Sequence, residues 1–224
     1  MKIICIGQNY LEHIQELSSK VPTEPVFFMK PDTALMKAAV GSGSKQEGSS
    51  TDRKLPLPTA AVFYLPDFSN NVHYEAELVI RVCKEGKNVA EEFASRYYDQ
   101  ITVGIDITAR DLQQRGKEKG LPWEPAKSFD NSAPVGELMP FEELKNKKEI
   151  IFELKINGAT VQQGNSAQMI FSNEKIISYV TRFVTIRQGD LIFTGTPKGV
   201  GALKAGDLLE AFLEGRKVLQ LVIK

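Results

Sequence analysis

Two short acidic stretches hold the residues best suited to chemistry. Glu75 and Glu77 lie in residues 73–80, and Asp106 lies in residues 101–108. Both stretches are rich in β-branched residues and alternate in polarity, which predicts strands. Because side chains two residues apart on a strand share a face, Glu75 and Glu77 point the same way. If Asp106 joins them, three carboxylates form an all-oxygen site for a hard cation, Mg²⁺ or else Mn²⁺ or Ca²⁺.

Simpler explanations exist for the same residues. A Glu-x-Glu pair on a strand is typical of a solvated face. Asp106 stands between Ile105 and Ile107, where an unpaired carboxylate would be costly. It could still accept backbone hydrogen bonds or pair with Arg110. Spacing alone therefore leaves the metal site and these alternatives open.

Longer motifs follow one another along the chain in a set order. They are EAE at 75–77, GIDITARDLQ at 104–113, KGLPW at 119–123, AKSFD at 126–130, GNS at 164–166, MIF at 169–171 and GDLIFTGTP at 189–197. This series resembles the fumarylacetoacetate hydrolase family, as does GQNY at 7–10 with His13 and Glu16 behind it. The resemblance implies a mainly β, α+β fold: a mixed β-roll or β-sandwich of the family's C-terminal-domain type, with few short helices.

The resemblance also implies roles for individual residues. Glu75, Glu77 and Asp106 would be the metal ligands. The implied catalytic residues are His13, Glu16 and Lys127, and the implied substrate-binding residues are Lys30, Arg110, Gln113, Asp130 and Thr196. Without the resemblance, a lysine such as Lys127 would be read as a surface residue.

His13 and Glu16 are three residues apart in a helix predicted over residues 10–20, so they share one side of it. Glu16 can accept one ring proton of His13, and the second ring nitrogen can then deprotonate water. A lone histidine beside an apolar stripe is more often structural. Gln8 departs from the arginine usual in the family motif, and it lacks the guanidinium fork that grips a carboxylate.

The implied activity is that of a divalent-metal-dependent hydrolase. It would cleave a carbon–carbon bond in a small 2-oxo acid of the acylpyruvate or fumarylacetoacetate type. The alternatives are an oxaloacetate decarboxylase and an isomerase or hydratase of 2-hydroxydienoates from aromatic breakdown. A non-catalytic metal-binding protein is a further reading, of a different class.

Two parts are expected along the chain. Residues 1–70 would form an N-terminal segment with a lid helix, and residues 71–224 would form the catalytic domain. Residues 38–62 contain GSGS and GSS without periodicity, which predicts a flexible inserted loop.

Composition narrows the classes of partner. Lys plus Arg equals Asp plus Glu at 28 each, so the formal net charge is zero. This balance gives no electrostatic reason to expect nucleic acid or a membrane as partner, and no apolar run reaches membrane-spanning length. Cys5 and Cys83 are expected as free thiols. We expect a cytoplasmic homodimer whose partner is a small oxo acid.

Overall fold

Strands dominate the computed structural model, which describes residues 1–16, 20–38 and 60–224. In chain order the strands are β1 Ile3–Gly7, β2 Val26–Lys30, β3 Leu35–Lys37, β4 Ala61–Phe63, β5 Val72–Tyr74, β6 Ala76–Val82, β7 Tyr98–Ile105, β8 Thr108–Ala109, β9 Ala133–Val135, β10 Met139–Pro140, β11 Ile151–Ile156, β12 Ala159–Asn165, β13 Leu191–Phe193, β14 Gly201–Ala202, β15 Leu208–Leu213 and β16 Arg216–Ile223. The predicted mainly β fold is confirmed.

The helices are short. They are α1 Leu11–Glu16, α2 Arg110–Lys119, α3 Glu124–Lys127 and α4 Asn173–Thr181, with 3₁₀ turns at Asp32–Ala34, Glu91–Tyr97, Phe141–Glu143 and Ser166–Gln168. Helix α2 ends at Gly120, whose φ of 63° is left-handed and whose N–H bonds the carbonyl of Gly116, as expected of a glycine cap. At the start of α4, the Ser172 hydroxyl accepts a hydrogen bond from the Lys175 N–H at 3.2 Å.

Three sheets organise the strands. The largest has the order β2-β1-β13-β6-β7-β9-β3, with β10 also paired to β7. The second has the order β12-β11-β15-β16-β4, and the third β14-β5-β8. Pairing is mixed, since β1 runs parallel to β13 whereas β6 runs antiparallel to both β13 and β7. The strands on both sides of the expected boundary near residue 70 share these sheets.

The hairpin between β11 and β12 follows from two residues. Asn157 and Gly158 have φ values of 52° and 82°, the pair of positive angles that a two-residue type I′ turn requires. An Asn-Gly pair is typical of such a hairpin turn. The turn lets β11 and β12 pair in antiparallel fashion. The other edge of β11 pairs with β15.

Both ends of the predicted loop over residues 38–62 belong to the described fold. Ala38 is buried and donates a hydrogen bond to the carbonyl of Val135 at 2.9 Å. At the other end, Ala61–Phe63 forms β4, which pairs parallel with β16. Residues 39–59 of the predicted loop lie outside the described residues.

The apolar core lies between the sheets and under α4. Alternate residues of β6 and β7, such as Leu78, Ile80, Ile101 and Val103, are buried in it. The backbone hydrogen bonds of these two central strands fix the edge at which β6 begins and β7 ends. That edge carries the acidic residues.

Candidate active site

The three acidic residues meet where β6 starts and β7 stops. Ala76 pairs with Ile105 in the β6–β7 ladder, so Glu75 precedes one strand where Asp106 follows the other. The Asp106 N–H donates a hydrogen bond to the carbonyl of Glu75 at 2.8 Å. With Glu77, the two carboxylates are buried, and one oxygen of each lies within 4.8 Å of the others. The predicted triad is therefore assembled, and the solvated-face alternative is wrong.

Lys127 stands directly over two of these carboxylates. Its buried ammonium donates hydrogen bonds to Glu75 Oε2 at 2.8 Å, Asp106 Oδ2 at 2.7 Å and Thr108 Oγ1 at 2.6 Å. Burial alone would lower the pKa of Lys127, but the negative charges of Asp106 and Glu75 outweigh it and raise that pKa. Lys127 is thus held as a cation inside the site.

Glu77 differs from its two neighbours because no cation balances it. It accepts a hydrogen bond from the Gly195 N–H at 2.7 Å, and no Lys, Arg or His of the described residues lies within 4.0 Å of its carboxylate. Burial raises the pKa of Glu77, and the negative charges of Asp106 and Glu75 raise it further. Glu77 is thus the one ligand of the triad whose charge the described cations leave unpaired, and a hard divalent cation held by the three carboxylates would favour its ionised form.

Glu75 shows the opposite balance. Burial would raise its pKa, but the positive charges of Lys127 and Arg110 hold that pKa well below the ordinary value. Arg110 Nη2 donates to Glu75 Oε1 at 2.5 Å. Arg110 is thereby tied to a carboxylate of the acidic triad, so its guanidinium positions Glu75.

Lys30 lies behind the triad. Its fully buried ammonium reaches Asp106 Oδ1 at 2.8 Å and donates hydrogen bonds to Ser132 and to the carbonyls of Ile107 and Lys127. It does not line the cavity in front of the carboxylates. Lys30 therefore holds Asp106 from the protein side, and its contact with substrate stays a prediction that this placement does not support.

His13 lines the same cavity as the three carboxylates. Its Nδ1 lies 3.2 Å from Glu16 Oε2, and the Gly199 N–H donates to the Glu16 carboxylate at 3.2 Å. Burial lowers the pKa of His13, although the negative charges of Glu75 and Glu16 partly oppose this. The predicted His–Glu pair is formed, and a neutral imidazole with Nδ1 protonated keeps its Nε2 lone pair available.

Two predicted substrate-binding residues, Gln113 and Thr196, line the cavity but differ in whether they can donate a hydrogen bond to a substrate. The Gln113 carbonyl oxygen accepts from Arg110 Nη1 at 2.5 Å, which leaves its amide N–H groups free to donate. The Thr196 hydroxyl donates to the carbonyl of Ala76 at 2.8 Å and accepts from Gln162 Nε2 at 2.9 Å. Thr196 therefore has no proton left to donate to a substrate without breaking its bond to Ala76.

Asp130 is placed differently from the prediction. It is exposed, it follows α3 in the chain, and it does not line the cavity. Substrate contact by Asp130 therefore stays a prediction that this placement does not support.

The cavity also includes residues to which the sequence assigned no role. Its walls hold Phe28, Trp123 and Lys117, together with Gln8, whose φ of 59° is left-handed. Phe28 and Trp123 pack edge to face with ring centres 5.8 Å apart. The cavity is small and opens to solvent.

Comparison with known proteins agrees with this site. Residues 2–223 match the family profile Fumarylacetoacetate (FAA) hydrolase C-terminal. The chain belongs to the fumarylacetoacetate hydrolase family. The resemblance seen in the motifs is thereby confirmed, and the family profile includes both the N-terminal strands and the C-terminal sheet.

Three relatives within the family are named as enzymes. The chain is 38% identical over 222 residues to oxaloacetate tautomerase FAHD1, mitochondrial, of Mus musculus, covering 99% of this chain and 91% of the relative. It is 35% identical to oxaloacetate tautomerase YcgM of Escherichia coli (strain K12) over 223 residues, covering 99% and 92%. Fumarylpyruvate hydrolase of Pseudomonas aeruginosa, in complex with Mn²⁺ and pyruvate, superposes with a TM-score of 0.87 at 34% identity, covering 100% of this chain and 89% of that chain.

These relatives confirm that the chain is an enzyme of this family, so the non-catalytic reading is set aside. A buried acidic site that can hold a divalent metal is present, as predicted. Among the described helices, none combines the length and apolar character needed to cross a bilayer.

Proposed function

We propose that this protein catalyses enolate chemistry on small 2-oxo acids, with keto–enol tautomerisation of oxaloacetate as the leading reaction. The observation that carries the proposal is one cavity that is lined by both a base and an ammonium. His13 lies on α1, and Lys127 lies among the acidic residues. Relatives covering nearly the whole chain are named oxaloacetate tautomerases, which supports this choice over the other reactions of the family.

We propose Mg²⁺ as the resident cofactor, with Mn²⁺ or Ca²⁺ as substitutes. Glu75, Glu77 and Asp106 would hold it, since they are buried oxygen ligands within reach of one another. A bound divalent ion supplies Lewis-acid stabilisation of negative charge on oxygen. The Mn²⁺ and pyruvate of the Pseudomonas aeruginosa structure support a metal beside an oxo acid.

The chain's own residues supply the proton transfers and the charge. His13 Nε2 takes the proton from C3 of the oxo acid, and Glu16 stabilises the imidazolium that forms. Negative charge then develops on the C2 oxygen, where the fixed Lys127 ammonium stabilises it. When this oxygen takes up a proton, the enol forms with no net gain or loss of atoms. The free Gln113 amide can donate to a substrate oxygen.

Hydrolysis of a carbon–carbon bond in an acylpyruvate is the second candidate. The His13–Glu16 pair favours it, because the same Nε2 can deprotonate a water for attack on the acyl carbonyl. The electrons of the broken bond then form the pyruvate enolate, which Lys127 stabilises in the same way. Oxaloacetate decarboxylation and dienoate isomerisation need the enolate but no such water.

A substrate panel tests the proposal. The purified protein with Mg²⁺ is given oxaloacetate, acetylpyruvate and a 2-hydroxydienoate, and the enol absorbance, pyruvate release and acetate release are followed separately. We expect loss of the oxaloacetate enol absorbance, faster than the metal alone produces, without matching pyruvate release. Acetate release from acetylpyruvate with no effect on oxaloacetate enol would put hydrolysis first. Failure to accelerate any of these reactions would overturn the proposal.

Cytoplasmic location and a homodimer stay predictions. Size-exclusion chromatography with light scattering tests the second of them directly.

A further inference from the structure

Lys117 is the cation at the cavity that has no carboxylate partner. Arg110 is bonded to Glu75, and Lys127 is bonded to Glu75 and Asp106. For Lys117, no carboxylate of the described residues lies within 4.0 Å of the ammonium, yet the side chain lines the cavity. Much of Lys117 is exposed, so it stands at the mouth.

Helix α2 explains why Lys117 faces the site. Arg110, Gln113 and Lys117 follow one another at spacings of three and four residues, so they share one face. Arg110 is bonded to Glu75 and donates a hydrogen bond to Gln113, which fixes that face toward the carboxylates. Lys117 lies two turns beyond Arg110, roughly 10 Å along the helix axis. Its side chain leans back toward the helix N-terminus, over the cavity.

The charges around the cavity indicate what this ammonium meets. Three carboxylates and three cations line it: Glu75, Glu77 and Asp106 against Arg110, Lys117 and Lys127. Lys30 adds a fourth cation, paired with Asp106 from behind, and a divalent ion would add two more positive charges. The resulting net positive charge favours a ligand with two negative charges over a monocarboxylate.

We propose that Lys117 binds the distal carboxylate of a dicarboxylic 2-oxo acid and so selects dicarboxylates over monocarboxylates. The oxo-acid end lies at the acidic triad, and the second carboxylate extends along α2 to the mouth. This inference rests on the function proposed above and names the substrate class of the same site. Partial burial lowers the pKa of Lys117, with the nearby Arg110 charge acting in the same direction. An arriving carboxylate favours the protonated ammonium.

The role of Lys117 can be tested separately from turnover by measuring the binding of ligands that do not react. The Kd values of 3,3-difluorooxaloacetate and pyruvate are measured by calorimetry with Mg²⁺ for the wild type, Lys117→Met, Lys117→Arg and Lys119→Met. Lys119 lies on the same helix but is exposed and does not line the cavity, so it is the matched control. The Lys117→Met variant should bind the dicarboxylate about tenfold more weakly, as expected for one lost charge-assisted hydrogen bond at an open mouth.

The pyruvate Kd should stay unchanged in all variants, and Lys117→Arg should keep most of the preference. In turnover, the kcat/KM ratio of fumarylpyruvate to acetylpyruvate should fall by a similar factor in Lys117→Met. An unchanged ratio of the two Kd values in Lys117→Met would overturn the inference. If the wild type turned over no oxo acid while its dicarboxylate preference still depended on Lys117, the proposed function would fail and the inference would stand.

Discussion

Replacing Lys30 with methionine should destabilise the protein without weakening substrate binding. The methionine fills the space of the lysine stem but leaves Asp106 Oδ1, Ser132 and two carbonyl groups without their shared donor. Removing one partner of a buried ion pair costs about 3–5 kcal/mol. Because Asp106 Oδ2 keeps its bond to Lys127 at 2.7 Å, we expect the lower end, about 3 kcal/mol.

Thermal unfolding followed by circular dichroism in EDTA measures this effect. A loss of about 3 kcal/mol lowers Tm by roughly 6–12 °C in a chain of this size. Mg²⁺ should reduce the deficit, because a bound cation would replace part of the charge that Asp106 has lost. Lys145→Met, at an exposed lysine, is the matched control and should change stability by less than about 0.5 kcal/mol.

The contrary result is equally clear. If Lys30→Met unfolded at the wild-type temperature in EDTA but showed a tenfold higher KM for oxaloacetate, Lys30 would contact the substrate. The assignment of Lys30 to the protein side of Asp106 would then be refuted.

Three further predictions concern the site. Glu77→Gln should raise Tm in EDTA, since it removes a buried carboxylate that no cation balances. It should also abolish the rise in Tm that Mg²⁺ produces, and a lower Tm in EDTA would contradict this prediction. His13→Ala should slow tautomerisation and acylpyruvate hydrolysis about a hundredfold or more but affect oxaloacetate decarboxylation less. Because burial lowers the pKa of His13 from 6.5, the base stays neutral down to lower pH, so the acid limb of wild-type kcat/KM should lie below pH 6.5. Lys127→Met should lower kcat for all the reactions by about a hundredfold, measured at saturating Mg²⁺.

The local part of the site could be predicted from the sequence. His13 and Glu16 are one helical turn apart, so their contact needs only α1 to form. The side-by-side placement of Glu75 and Glu77 follows from strand spacing, although Glu75 itself lies between the end of β5 and the start of β6. Asp106 joined them because β6 and β7 are neighbours in the sheet, a pairing that the family motifs implied and the alternation alone did not.

The burial and the contacts of the lysines could not be predicted from the sequence. Lys30 ends the apolar run 26–29 and Lys117 lies in a polar helix, but neither context shows which lysine reaches the acidic residues. The fate of Lys30 depends on partners 77 and 102 residues away in the chain, which only the assembled sheet brings together. For Lys117 a signal was present, since it continues the Arg110–Gln113 face of α2, but its meaning required knowing that Arg110 is anchored on Glu75.

Lys127 and Arg110 are bonded to the acidic residues whereas Lys117 is not, and this difference separates the reaction from the choice of substrate. Lys127 and Arg110 are held by the acidic residues on which the chemistry depends, so changing either alters the reaction centre itself. Lys117 touches none of those residues and can change without disturbing them. The reaction is therefore set by the buried end of the cavity, and the preferred length and charge of the acid by its mouth. Substitutions at Lys117 should accordingly change which oxo acid is used while leaving Mg²⁺ affinity at its wild-type value.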